Sequence, residues 1–100
     1  MDRLQWDLFA WYCRRLKPRF ATFFLNSVAH VQHCYWREME PWHFKIKLKQ
    51  EEVADHESAI SYGYQEIDKL VGRFMELAGE NITLVFCTAL SQQPCLAYEE

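Results

Sequence analysis

The sequence predicts an α/β fold: a fragment of a mostly parallel sheet, with about two to three strands flanked by three helices. Three observations carry this. Two runs, residues 20–25 and 82–87, are apolar on both alternating faces, as strands covered on both sides of a parallel sheet are. Three other stretches keep a helical period. The order helix, strand, helix, long helix, strand joins the strands through helices, which makes them parallel with a right-handed crossover.

Along the chain, residues 3–16 read as a helix, with Leu4, Leu8, Trp11, Tyr12 and Leu16 at three- and four-residue steps. Asp2 suits an N-cap and Gln5 stands three residues on, as in a capping box. Trp6, Phe9 and Cys13 widen the apolar face, so burial on more than one side is expected. Pro18 ends the helix. Phe20-Ala-Thr-Phe-Phe-Leu25 is the first strand, and Asn26 and Ser27 are turn and N-cap residues. A helix over 28–39 carries Val28, Val31, Tyr35 and Trp36 and stops before Pro41. Residues 42–50 alternate around Lys45-Ile46-Lys47-Leu48-Lys49, which fits a lysine-guarded edge strand or an extended surface loop.

The strongest helical signal covers 52–78, with Ile60, Tyr64, Ile67, Leu70, Val71, Phe74 and Leu77 in register and Gly79 as the residue past its end. Gly63 and Gly72 each weaken that helix by about 1 kcal/mol, which points to close packing at both. Ile82-Thr-Leu-Val-Phe-Cys87 is the second strand, and residues 88–93 form a loop at its carboxyl end. Two such strands leave unpaired edges and too little cover for Phe20, Phe23, Phe24, Val85 and Phe86. Missing strands are therefore expected from a partner chain or from the rest of a larger domain.

The 100 residues allow one small domain, residues 1–100, partial in this reading. Half of them are apolar, Pro and Gly number 3 each, and no apolar run reaches a membrane span of about 20 residues. Disordered, collagen-like and membrane-spanning classes are thereby excluded. Acids within the N-terminal apolar stretch argue against a secretory signal, and a cytoplasmic location is expected. The net charge of −3 divides into +5 over residues 1–49 (nine Lys/Arg, four Asp/Glu) and −8 over 50–100 (two Lys/Arg, ten Asp/Glu). The basic residues are scattered, so solvated faces or contacts between the halves are expected, not nucleic-acid binding. Cys13, Cys34, Cys87 and Cys95 match no paired zinc spacing and are read as reduced thiols, with Cys13 and Cys87 as small core residues.

Four segments in order resemble the alkaline phosphatase superfamily, in its type I phosphodiesterase/nucleotide pyrophosphatase branch. Lys17-Pro18-Arg19-Phe20-Ala21-Thr22-Phe23-Phe24 resembles the family's Lys-Pro-Asp start of a buried strand. The segment Asn26 to Trp36 resembles its Asp-x-x-x-His stretch, and Tyr62 to Arg73 its Tyr-x-x-x-Asp-x-x-(Ile/Leu)-Gly helix. Thr83 to Ser91 falls where the family has an apolar strand ending in Ser-Asp-His-Gly.

The resemblance implies a helix-flanked parallel sheet and two-metal hydrolysis of phosphate or sulfate esters by a Ser or Thr nucleophile. It implies that His33 matches the family's metal-ligating His. Ala29 stands where that motif has Asp, and Ala89 and Leu90 stand where Ser-Asp-His-Gly has its ligands. Zinc needs about four donors, at least three from protein in catalytic sites. The implied function is thus a degenerate or partial phosphodiesterase-like domain, inactive as an isolated chain and without catalytic residues. No cofactor is expected for the isolated chain; zinc or another divalent metal would belong to a complete domain.

The residues leave other readings open. His30 and Cys34 share a helical face and His30 and His33 nearly do, an imidazole–thiolate set that suits zinc, with His43 able to join. Against it stands ordinary packing near a strand end. Cys34, beside His30, and Cys95 are candidate nucleophiles, but a structural thiol is the default. Ser27 lacks a Gly-rich elbow, Asp68 reads as a solvated acid, and Trp36, Trp42, His43 and Phe44 stack on a base or, more ordinarily, pack in a core. The alternative function is a protein–protein assembly module that binds through exposed strand edges and apolar faces. Its expected partner is a copy of itself or the missing part of a larger domain, with no membrane partner.

Overall fold

The computed structural model describes residues 2–88 and 91–97. Among them are four α-helices, α1 (Asp2–Leu16), α2 (Ser27–Met39), α3 (Gln50–His56) and α4 (Ala59–Ala78), with a 3-10 turn at Pro41–His43 and no strand. The α/β expectation is thereby corrected: both apolar runs lie outside the helices, and among the described residues neither enters a sheet. A strand exists only through its ladder, and these two runs find no neighbouring backbone.

α1 keeps the period read from its sequence. Trp6 and Ala10 are buried, Phe9 and Cys13 half-buried, and Asp2 and Arg14–Arg15 sit at the ends that complement the helix dipole. The helix ends at Lys17, which takes the left-handed conformation (φ 46°) while its N–H donates to the Cys13 carbonyl at 2.9 Å. Pro18 then prevents continuation. The capping box expected at its start does not form: Gln5 reaches forward, and its Nε2 donates to the Phe24 carbonyl at 2.9 Å.

That bond fastens residues 20–25 across the helices as a strap. Phe23 and Leu25 turn inward and Phe24 outward, a strand-like alternation without a ladder. Phe23 lies edge-on to Phe9 (5.3 Å between centroids) and to Phe74 of α4 (5.1 Å). Phe74 also meets Trp6 edge-on at 4.6 Å. These rings, with Ala10, Leu70, Leu25 and Leu77, form the core that joins α1 to the C-terminal half of α4.

α2 packs against the N-terminal half of α4 and against α3. Gly63 permits the approach to α4, since a Cβ there would stand 3.3 Å from Val28 Cγ2. Gly72 has nothing within 4 Å of a Cβ, so the close packing expected there is absent. α2 departs from helical geometry at Tyr35 (φ −124°, ψ 15°), whose ring stacks on His56 at 4.9 Å. The helix expected over 52–78 is divided at Glu57–Ser58 into α3 and α4. Ser58 restarts it, its carbonyl accepting from Tyr62 N–H and Ser61 Oγ, both at 2.9 Å. Gly79 closes α4 as expected, with φ 57° and its N–H on the Met75 carbonyl at 3.0 Å.

Of the two readings of residues 42–50, the surface loop is observed and the edge strand is not. Lys47 Nζ donates to the carbonyls of Pro41 (3.0 Å) and Phe44 (2.6 Å), and Phe44 is buried beneath the Arg37 guanidinium. The molecule is long, 52 × 25 × 20 Å, with a radius of gyration of 17.6 Å. A compact chain of this length has a radius near 13 Å. Among the described residues no helix is long and apolar enough to cross a membrane.

Candidate functional site

α1 is apolar on two opposite sides. At 100° per residue, Trp6, Phe9, Ala10 and Cys13 share the side that meets the core. Leu4, Leu8, Trp11, Tyr12 and Leu16 line the other, and each is between 51% and 66% exposed. Trp11 and Tyr12 lie edge to face at 4.8 Å, and the Arg15 guanidinium sits over the Trp11 ring at 5.3 Å. An amphipathic helix of a finished domain turns its second side to water with polar residues. Here that side is a stripe of large apolar ones.

The second exposed apolar feature is the run 82–87. Every residue of it is exposed, with Val85 at 75% and Phe86 at 73%. Its backbone bends at Ile82 and takes no part in a sheet. Cys87, expected in a core, is exposed with it.

The total surface measures the consequence. The chain exposes 8729 Å² at a mass of 12.1 kDa. A compact monomer of that mass exposes about 6,000 Å². The excess, on the order of 2,700 Å², is about three times the roughly 800 Å² that each partner buries in a standard stable complex.

The residues singled out for chemistry fall elsewhere. His30 Nε2 and Cys34 Sγ face one another at 3.9 Å on α2, as their spacing requires. His33 turns away from that pair, its Nε2 2.8 Å from the Gln92 side-chain nitrogen, so its lone pair accepts a hydrogen bond from the C-terminal segment. Among the described residues no group of three or more His, Cys, Asp and Glu is placed to hold a metal ion. Two donors do not fit zinc, which takes about four. His43 lies beside Glu40 (3.4 Å), which also accepts from the Trp36 indole at 2.9 Å. Ser27 opens α2 and Asp68 is exposed on α4. Ala89 and Leu90 lie outside the described residues.

The parallel sheet implied by the phosphoesterase resemblance is absent among the described residues, and with it the strand ends where such a site assembles. The fold therefore gives the hydrolase and phosphodiesterase reading no support. Among the described residues, the perturbed titratable group is Glu66, and its cause is structural. The Glu66 carboxyl is held below the usual carboxylate range by its hydrogen bond from Lys69 (2.6 Å), with Arg3 of α1 adding to this from 3.6 Å.

Sequence reasoning found the apolar breadth of α1 and the exposed rings of the two extended runs. It missed that one side of α1 stays open. The signal was present: Leu4, Leu8, Trp11, Tyr12 and Leu16 complete a stripe without any of the residues that contact the core. Comparison of the chain with family models, with curated proteins and with solved structures finds no match.

Proposed function

We propose that the chain is an assembly module whose partner is a second copy of itself, and that self-association covers apolar surface the single chain leaves in water. The observation that carries this reading is the exposed area, 8729 Å², on a chain that leaves one helix face and the run 82–87, among other large apolar residues, in water. Apolar surface contributes about 25 cal/mol per Å² when it leaves water, so covering the exposed apolar side chains favours association. Four unpaired thiols, three of them exposed, suit a reducing, cytoplasmic compartment.

Sedimentation equilibrium across the micromolar range tests this. Association with retained helicity is the expected result. A species of 12.1 kDa at every concentration would overturn the proposal.

A further inference from the structure

We infer that the second copy docks on the outer face of α1, with the two α1 helices antiparallel about a two-fold axis between residues 10 and 11. The inference rests on the assembly reading and assigns its surface and geometry. The stripe Leu4–Leu16 is centred on residue 10 and runs the length of the helix. Its five large side chains, each at least half open, present on the order of 600 Å² per chain. Two copies bury about 1,200 Å², the lower bound of a specific interface.

Charge selects the orientation. Asp7 and Arg14 are both exposed and lie two turns apart on one flank of the stripe. In an antiparallel pair about that axis, the same flanks of the two helices face each other, and position 7 of one copy stands opposite position 14 of the other. Each Asp7 then meets an Arg14, twice by symmetry. The same axis brings Leu4 within one residue of Leu16, Leu8 within one residue of Tyr12, and the two Trp11 rings within one residue of each other, an offset of about 1.5 Å along the helix. A parallel pair offers no such match, because opposite flanks would face each other. A two-fold interface must be self-complementary, and the Asp7–Arg14 match is so in charge, with Arg15, which shares the face of the stripe, lying over its own Trp11 ring.

The test is a charge swap, read by sedimentation velocity on the full chain with circular dichroism as the folding control. Asp7→Arg and Arg14→Asp are exposed substitutions, and each alone is expected to raise the dimer dissociation constant about tenfold. The double variant restores the opposed pairs and is expected to return to within about threefold of the parent. Leu8→Glu, placed in the stripe itself, abolishes the dimer while leaving helicity intact. If the parent chain associates but neither Leu8→Glu nor the swap series changes the dissociation constant, the α1 assignment is overturned while the assembly reading stands. If the parent is monomeric throughout, both fail. If each single charge variant weakens the dimer and the double variant weakens it further, the antiparallel orientation is overturned.

Discussion

The two extended runs are alike in sequence and opposite in outcome. Residues 20–25 and 82–87 are both six-residue stretches of apolar and β-branched or aromatic residues, and both lack charge and glycine. The first is folded in at Phe23 and Leu25: Phe23 inserts between Phe9 and Phe74 and the Phe24 carbonyl is held by Gln5, while the Phe20 and Phe24 rings stay in water. The second lies open along its whole length. What separates them is a receptor. α1 and α4 leave a groove of aromatic edges beside the first run, and nothing among the described residues presents one to the second. An apolar, extended-favouring sequence fixes its own conformation; whether it is buried depends on what the rest of the chain places against it.

This contrast can be broken from either side. The largest effect is expected at Phe74, whose ring meets Trp6, Phe9 and Phe23. Phe74→Ala is expected to cost about 3 kcal/mol in urea denaturation, because it removes the surface on which strap and helix both rest. Val85→Ala and Phe86→Ala, in the open run, are expected to change the same midpoint by less than about 0.5 kcal/mol. A comparable loss at Phe86 would show that the run is packed in solution.

Two backbone substitutions sharpen the boundaries. Lys17 holds a left-handed conformation that glycine adopts freely, so Lys17→Gly is expected to stabilise by about 1 kcal/mol, raising Tm by about 4–8 °C. The α4 glycines should differ. Gly72→Ala gains about 1 kcal/mol of helix propensity with open space around the new methyl group. Gly63→Ala gains less or loses, since Val28 must yield at 3.3 Å. Equal thermal shifts for the two would contradict the close approach of α2 to α4.

The smallest effect concerns Glu66, which ties α4 to α1 through Arg3. Its pKa is lower folded than unfolded, so the pair's contribution is present above the unfolded carboxylate pKa and fades as pH falls through the folded value. Glu66→Gln is expected to flatten that acid limb slightly, and added salt to do the same in the parent. The check is the urea midpoint against pH for both proteins, which should converge at the acid end.

Much of the helical framework was legible. The period of Leu4, Leu8, Trp11, Tyr12 and Leu16 predicts α1 as a helix, though the side that is buried is the one of Trp6, Phe9 and Ala10; Pro18 and Gly79 mark two helix ends, and the register over 60–77 predicts α4. The division at Glu57–Ser58 was not legible, because Val53 and Ile60 remain in helical register across it and only the Tyr35–His56 stack shows where α3 lies. The histidines illustrate the same limit for chemistry. Spacing put His30 and Cys34 on one face, but could not tell that Gln92, far along the chain, would occupy His33.

By itself the sequence determined local form: periodicity sets helices, proline and glycine set their ends, and β-branched and aromatic runs stay out of helices. Only the tertiary structure decided that those runs are not strands and that one side of α1 has no cover. Strand pairing and burial are relations between distant segments, and their free energy depends on which surfaces meet. No single segment carries that information.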